Sequence, residues 1–186
     1  MSRVLVYCIV FLSSSAMSEP MVSQHPLTLD NMRLVTDNVM GGVSNGVLKR
    51  SAKNAKDCLL LSGDVSTENN GGFIQAALDI EPDESKKLTM ADGLTLKVLG
   101  NGEPYNIHLR TTNLWFPWQA YRATFDTDGQ WQHIIIPFKN FIPYKTSSGL
   151  RPDKIKRIGI VAIGRDFKAE ICISELGFYR AEPEKK

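Results

Sequence analysis

The chain has 186 residues, and its 22 basic and 20 acidic side chains give a formal net charge of only +2 at pH 7. A domain that binds nucleic acid usually carries a basic stripe that neutralises phosphates, and no such stripe is visible in this sequence. The length allows one domain with a substantial hydrophobic core but is short for two. We therefore predict a single domain that does not bind nucleic acid.

The first 18 residues have the layout of a secretory signal peptide. Arg3 supplies a short positive segment, residues 4–12 are apolar, and Ala16-Met17-Ser18 forms a small-x-small cleavage site. The apolar run is too short to span a bilayer. We therefore expect export to the periplasm or the extracellular space, with no membrane span after cleavage. The alternative is an N-terminal anchor that stays uncut and holds the protein at the membrane.

The first unusual segment of the mature chain is the glycine-rich stretch at residues 36–46. Glycine permits a left-handed backbone or the close approach of two chain segments, and short polar side chains can bond nearby backbone amides. The pattern therefore predicts a tight structural turn, with a ligand-binding loop as the alternative. The residues that define it are Asp37, Asn38, Met40, Gly41, Gly42, Ser44 and Gly46.

The same stretch matches the Gly-x-Ser-x-Gly pattern of a hydrolase nucleophile elbow at residues 42–46, with Ser44 as the nucleophile. That elbow requires a buried strand before the serine and a helix after it. The residues from Val47 onward have no hydrophobic helical face, although His108 and His133 are available as bases. An esterase that uses Ser44 stays a minor alternative, and we predict no catalytic residues.

Two cysteines remain after signal cleavage, Cys58 and Cys172. In an oxidising compartment they can form a disulfide, and closing so long a loop would stabilise the fold by a few kcal/mol. Two buried free thiols would explain their apolar surroundings equally well, because a single pair of cysteines does not define a disulfide framework. The sequence leaves both alternatives open.

Short apolar strands separated by turn residues dominate the rest of the chain, and no segment of useful length has the apolar spacing of a helix. This pattern predicts an all-β fold, a jelly-roll β-sandwich. One domain would occupy residues 19–180, followed by a flexible tail at residues 181–186. Eight strands are clear, at residues 58–65, 73–80, 93–99, 105–112, 121–125, 131–138, 155–163 and 170–179.

An aromatic segment at residues 113–119 separates two of these strands and predicts a loop. Exposed indole rings stack on sugars or anchor protein partners. Alternatively the rings cover the end of the sandwich core, and Pro117 interrupts the pattern that would distinguish the two. The candidate residues for binding a partner or ligand are Asn106, His108, Arg110, Trp115, Phe116, Trp118, Tyr121 and Arg122.

Asp128 and Gly129 predict a hairpin that joins the strands at residues 121–125 and 131–138, since glycine adopts the positive φ that such a turn needs. Residues 126–129 are similar to the start of a calcium loop but lack its further ligands. The three histidines of the chain do not have the spacing of zinc ligands. We therefore predict no metal site and no cofactor.

Taken together, several motifs resemble the complex I intermediate-associated protein 30 family. The most specific is Asp-x-x-Met-Gly-Gly-x-Ser-x-Gly at residues 37–46, and the resemblance extends over roughly residues 27–179. The resemblance implies a galactose-binding-like jelly roll. It also implies a role without known catalysis, because the mitochondrial members are assembly factors that hold partly built respiratory complex I. Further agreement lies at residues 71–73, 92–94, 105–111, 131–141, 158–160 and 171–179.

We therefore expect a non-catalytic domain that binds a protein partner, as an assembly or chaperone-like factor for a respiratory or envelope complex. The loop at residues 37–46 would form a rim adjoining the aromatic loop, whose neighbourhood supplies the anchors. The expected anchors are Trp115, Phe116, Trp118 and Tyr121. The alternative is a carbohydrate-binding module in which Asn106, His108 and Arg110 contact sugar hydroxyls. Complex I assembles on the matrix or cytoplasmic side, so an exported protein departs from the family role.

Overall fold

The computed structural model describes residues 22–181. The expected signal peptide at residues 1–18 lies outside this range, as do residues 182–186 of the expected tail. Across the described residues, no helix has the length and apolar character that a membrane crossing requires.

Twelve strands and one short helix, α1 at Pro82–Lys87, make up the regular structure of residues 22–181, together with several single turns of 3₁₀-helix. The strands are β1 (Val22–Pro26), β2 (Arg33–Thr36), β3 (Asn45–Lys53), β4 (Lys56–Val65), β5 (Phe73–Asp79), β6 (Gly93–Gly100), β7 (Tyr105–Thr111), β8 (Ala120–Phe125), β9 (Trp131–Pro137), β10 (Ile142–Tyr144), β11 (Ile155–Ile163) and β12 (Phe167–Ala181).

The strands form two six-stranded antiparallel sheets. The first sheet has the order β3-β4-β12-β6-β9, and β1 pairs with the C-terminal half of β12. The second sheet has the order β10-β8-β7-β11-β5-β2. Because most neighbours in a sheet are distant in sequence, the chain passes repeatedly from one layer to the other. The expected jelly-roll β-sandwich is thereby confirmed.

The hydrophobic core lies between the two sheets and takes side chains from both. On β7, for example, Ile107 and Leu109 are fully buried, while His108 and Arg110 point to the opposite face and stay partly exposed. Successive side chains of a strand alternate between faces, so this period of two separates a core face from an outer face. The polar face of the second sheet, on the side away from the core, is called the outer face below.

All eight expected strands are present, with ends shifted by up to three residues. The sequence did not predict β1, β2, β3 and β10. Three of these have only three to five residues, and β3 is an edge strand in which most residues are exposed. The tail was also placed one residue too early, because Ala181 pairs with Val22 and donates its N–H to Asp92 Oδ2 at 2.9 Å.

The predicted hairpin at Asp128 and Gly129 is wrong. Strand β8 pairs with β7 in the second sheet, whereas β9 pairs with β6 in the first, so this turn carries the chain across the sandwich. Gly129 does adopt a positive φ of 81°, and Asp128 Oδ1 accepts the N–H of Gln130 at 3.0 Å. The local turn was thus anticipated, but a turn signal does not specify which strands pair.

Cys58 and Cys172 form a disulfide between β4 and β12, with their Cα atoms 5.5 Å apart. The bond lies on the side of the first sheet away from the main core, where Leu60, Leu99 and Trp131 pack around it. Of the two alternatives that the sequence left open, the structure contains the bonded one.

Candidate functional site

The glycine-rich segment folds around a buried carboxylate. Asp37 follows β2 at the start of a 3₁₀ turn (Asp37–Met40) and is fully buried. Its oxygens accept the N–H groups of Ser44 at 3.0 Å, Gly72 at 2.6 Å and Phe73 at 3.2 Å, and also the Ser44 hydroxyl. One side chain thereby joins the end of β2 to the starts of β3 and β5.

Two glycines are required by this carboxylate. A Cβ atom built on Gly42 or Gly71 would overlap with the carboxyl group of Asp37. Glycine at these positions therefore serves close packing. The loop thus contains the tight turn that the sequence predicts.

Hydrogen bonding keeps Asp37 ionised. Burial alone would raise the pKa of this carboxyl, but the hydrogen bonds from Gly72, Ser44 and Phe73 outweigh it and hold the pKa below its ordinary value. The negative charge is therefore present in the interior at neutral pH, where it organises the surrounding backbone amides.

Ser44 lacks the setting of a nucleophile elbow. It is buried and precedes strand β3 rather than a helix. Its hydroxyl donates to the Asp37 carboxylate and accepts the N–H of Ser66 at 3.0 Å. Because the hydroxyl is engaged on both sides and turned inward, the geometry gives the esterase alternative no support.

The outside of the same loop is apolar. Val39, Met40 and Val43 are exposed, Met40 to 59%. The family motif therefore combines a sealed polar interior with a small hydrophobic exterior.

The aromatic loop at residues 113–119 connects β7 to β8 and presents its rings to solvent. Trp115 is 91% exposed, and Phe116 and Trp118 are each about half exposed, at 52% and 51%. Phe116 and Trp118 stack in parallel, with ring centroids 4.9 Å apart and an interplanar angle of 7°. Buried Leu114 attaches the loop to the core. Of the two alternatives for the loop rings, the structure contains the exposed one.

Hydrogen bonds hold this loop in shape. Gln119 Oε1 accepts the N–H groups of Trp115 and Phe116, each at 3.0 Å, and Gln119 Nε2 donates to the carbonyl of Lys145 at 2.9 Å. Arg110 Nη2 donates to the Phe116 carbonyl at 3.0 Å. The rings are therefore displayed on an ordered backbone, which lowers the entropy lost when a partner binds.

Tyr121 does not belong to this surface, and its assignment as an anchor is wrong. Its ring is fully buried in the core, and its hydroxyl donates to the carbonyl of Gly149 at 3.0 Å. On β8, Tyr121 alternates in phase with Ala123 and Phe125, which both face the core. The strand period therefore decides its orientation, although the residue is close to the loop in sequence.

The other polar candidates lie together on the outer face of the second sheet. Asn106, His108 and Arg110 share this face on β7, and Arg122 of β8 is the register partner of His108. The register continues across all six strands of the sheet. One complete row is Ile142, Arg122, His108, Gly159, Ala77 and Arg33.

At one edge of the outer face, Arg122 stacks on Tyr144. The guanidinium carbon lies 3.4 Å from the ring centroid, a cation–π arrangement. Beside this pair is an open hollow of about 390 Å³, whose lining includes Asn106, Thr124 and Ile142. Sequence reasoning missed Tyr144, because the three-residue strand β10 carries almost no pattern. Gln75 and Asp79 were also missed, although their alternation along β5 could have indicated them.

His108 is unsuited to contact a ligand directly through Nε2. That atom is buried and has no hydrogen-bond partner among the described residues. Burial, with a smaller contribution from the positive charge of Arg122, lowers the pKa of His108 to about 3. The imidazole is therefore neutral at pH 7.

The two loops lie at opposite ends of the second sheet. Strands β5 and β7 both run antiparallel to β11, so they point in the same direction. The aromatic loop follows the C-terminal end of β7, whereas the loop at residues 37–46 contacts Gly72 and Phe73 at the N-terminal end of β5. The expectation that the two loops adjoin is therefore wrong. The aromatic loop instead meets the outer face, through the bond from Arg110 to Phe116.

No group of three or more histidine, cysteine, aspartate and glutamate side chains within residues 22–181 is arranged to hold a metal ion. The outer face instead offers guanidinium, amide, hydroxyl and aromatic groups. These groups suit recognition of a polar ligand rather than metal coordination.

Comparison with known proteins gives one family and a group of similar folds. Residues 21–173 match the model of the family described as complex I intermediate-associated protein 30 (CIA30). No curated protein matches the sequence.

Among solved structures, a family 11 carbohydrate-binding module from Clostridium thermocellum, in complex with a beta-1,3-1,4-mixed-linked tetrasaccharide, has a TM-score of 0.66 at 15% identity. That match covers 85% of this chain and 96% of the module. A family 30 carbohydrate-binding module of the cellulase Cel9D-Cel44B of the same organism has a TM-score of 0.59 at 13% identity, with 88% and 99% covered. Identities this low show a common fold.

Proposed function

The chain belongs to the complex I intermediate-associated protein 30 family, and from this premise we propose that it is a non-catalytic domain that captures a protein partner. Its role would be that of an assembly or chaperone-like factor for a respiratory or envelope complex. The observation that carries the proposal is the aromatic loop, in which Trp115, Phe116 and Trp118 are exposed on a hydrogen-bonded backbone.

The physical argument concerns where binding energy comes from. Tryptophan side chains dominate the energetics of protein interfaces, and one well-buried indole commonly contributes about 2 kcal/mol or more. Trp115 is 91% exposed, so nearly all of its apolar surface is available for burial against a partner. The bonds from Gln119 already order the loop, so less conformational entropy is lost on association.

We further propose that the domain acts after export. The N-terminal pattern of a signal peptide and the Cys58–Cys172 disulfide both support an oxidising compartment. The partner would then be an envelope protein or the exported side of a membrane complex. An uncleaved N-terminal anchor would leave the same domain on the same side of the membrane.

The test is capture of a partner from the native envelope by the purified protein, with the bound proteins identified by mass spectrometry. We expect Trp115→Ala/Trp118→Ala to lose a defined set of subunits that the parent protein retains. Met40→Ala is the matched control, because it removes an exposed apolar side chain from the opposite end of the sheet.

Equal capture by the parent and by the double tryptophan variant would overturn the proposal. Thermal unfolding monitored by circular dichroism checks the fold of each variant. Loss of the native transition in the double variant would instead assign the two rings to the core.

Carbohydrate binding is a second candidate, favoured by a different observation. On the outer face, the stacked pair of Arg122 and Tyr144 borders an open hollow lined by Asn106 and Thr124. Flat rings and amide groups of this kind bind sugars. The fold shared with carbohydrate-binding modules is compatible with this candidate. A glycan array tests it, and the absence of saturable binding to every glycan would contradict it.

A further inference from the structure

The outer face carries an excess of positive charge. Its guanidinium groups come from β2, β7, β8 and β11, and among the residues placed on this face by the strand register Asp79 is the carboxylate. Asp79 accepts a hydrogen bond from Arg33 Nη2 at 3.2 Å and another from Arg157 Nε. Arg110 and Arg122 form no ion pair with any carboxylate of residues 22–181.

One of these two arginines is paired in register with another positive group, and the other with a neutral imidazole. Arg110 is the register partner of Arg157, and Arg122 lies one strand away beside His108. Burial lowers the pKa of Arg110, with Arg157 contributing, and burial likewise lowers the pKa of Arg122. A guanidinium nevertheless stays protonated in proteins. Two partly desolvated charges are therefore left without a counter-charge from the described chain, and an anionic ligand would compensate them.

The middle of the outer face carries small residues on β11 and β5. Gly159 and Ala77 lie in the row between His108 and Arg33, and neither has a side chain larger than a methyl group. Gln75 bends over Gly159, where a Cβ atom would overlap with its amide group. The amide of Gln75 therefore fills the space over Gly159 in the middle of the outer face.

From this juxtaposition we propose that the outer face binds a polysaccharide of sugar acids, whose carboxylates pair with Arg110 and Arg122 while a sugar ring packs beside Tyr144. The inference rests on the second candidate function, glycan binding, and specifies the charge of the glycan. The same face already contains an arginine–carboxylate interaction, because two guanidinium groups donate hydrogen bonds to the carboxylate of Asp79. Planar guanidinium groups pair with planar carboxylates through two parallel hydrogen bonds.

Neutral groups around the arginines favour a sugar over an acidic peptide. Asn106 and Thr124 are hydrogen-bonded to each other at 3.1 Å on the outer face, and Gln75 adds a second amide. Amide and hydroxyl side chains both donate and accept hydrogen bonds, as the dense hydroxyls of a polysaccharide do, and the Tyr144 ring beside them offers a flat surface for a sugar ring.

The experiment is isothermal titration of the purified protein with polygalacturonate, with neutral mixed-linked β-glucan and with polyglutamate in the same buffer. We expect saturable binding of polygalacturonate at least about tenfold tighter than that of the glucan. Arg110→Gln and Arg122→Gln should each weaken it by about tenfold, or about 1.4 kcal/mol, because each removes a charge-assisted hydrogen bond. Arg180→Gln is the matched control, because it removes the same charge from the exposed end of β12 in the first sheet.

Each other outcome has a definite meaning. Equal binding of β-glucan, unaffected by Arg110→Gln and Arg122→Gln, would overturn the acidic-glycan inference and leave the glycan candidate standing. Polyglutamate binding as tight as polygalacturonate would overturn it in favour of an acidic protein. Binding to neither polysaccharide would remove the inference and weaken the glycan candidate, while capture of a protein partner by the aromatic loop would be untouched. Arg122→Lys keeps the charge and should retain part of the affinity if the site folds as described.

Discussion

The loop at residues 37–46 and the loop at residues 113–119 both connect strands at an end of the second sheet. They differ in whether their most distinctive side chain is buried or exposed. In the first, Asp37 is fully buried and both carboxylate oxygens accept hydrogen bonds from the chain. In the second, Trp115 is almost fully exposed and contacts are made by the backbone of the loop.

The contrast teaches that composition is a poor guide to exposure in loops. A stretch rich in glycine and polar residues can form a tight turn or a ligand-binding loop, and here it packs around an internal charge. An aromatic stretch can cover a core or bind a partner, and here it faces solvent. What differs is the set of hydrogen-bond partners, and these decide which side chains can be sealed inside. The buried loop is therefore expected to govern stability, and the open loop to govern binding.

The largest effect is expected for Asp37→Asn. An amide in place of the carboxylate turns a donor group toward backbone N–H groups that need acceptors, and it removes the charge that they stabilise. We expect the free energy of unfolding to fall by about 3 kcal/mol, measured by urea denaturation. Asp126→Asn, at an exposed loop position, is the control and should change it by less than about 0.5 kcal/mol. A result for Asp37→Asn as small as that of the control would contradict the structural role.

A smaller effect concerns pH, which acts over different ranges on two groups, His108 of β7 and Asp37 of the loop at residues 37–46. The pKa of His108 is lowered from 6.5 to about 3, so below pH 6.5 the unfolded chain takes up a proton that the folded protein does not. Stability should therefore fall as the pH drops below 6.5, by at most about 1.4 kcal/mol per pH unit for this group, or about 2 kcal/mol by pH 5. Asp37 affects stability only at lower pH. Its contribution to the free energy of unfolding is lost as the pH falls through its lowered pKa.

The measurement is urea unfolding between pH 7 and pH 5, where carboxylates contribute little. His108→Gln should have a flatter dependence of unfolding free energy on pH than the parent protein. Identical slopes for the two proteins would show that His108 is not kept neutral by burial.

The smallest effect on stability is expected at the open loop. Because Trp115 makes few side-chain contacts in the free protein, Trp115→Ala should change the free energy of unfolding by less than about 0.5 kcal/mol. Trp131→Ala is the matched comparison, since this indole packs beside the disulfide and donates Nε1–H to the carbonyl of Lys53 at 3.3 Å. Trp131→Ala should lower the free energy of unfolding by about 3 kcal/mol. Equal losses for the two variants would show that Trp115 is not free to bind a partner.

Much of the candidate site was predictable strand by strand. Alternation along β7 assigns Ile107 and Leu109 to the core and Asn106, His108 and Arg110 to the outer face, and the structure agrees. The period of two belongs to the extended backbone itself, so a few consecutive residues reveal it. The same rule, applied strictly to β8, would have placed Tyr121 inside.

Other parts of the site depended on distant residues. Tyr144 stacks on Arg122, which is 22 positions earlier, and it lies in a strand of three residues that has no recognisable period. The orientation of the aromatic loop depends on Gln119 reaching the carbonyl of Lys145. The turn at Asp128 and Gly129 looks the same in sequence whether it closes a hairpin or crosses the sandwich.

The local sequence pattern is sufficient to predict an all-β domain, the two faces of its longer strands and the family. Alternation, turn residues and motif spacing each involve only a few neighbouring residues. Only the packed structure decides which strands pair, that Asp37 bonds to Gly72 and Phe73 some 35 residues away, and that Arg110 and Arg122 share a face with Tyr144. Those relations depend on long-range hydrogen bonds and sheet order, which form only when both layers close on a common core.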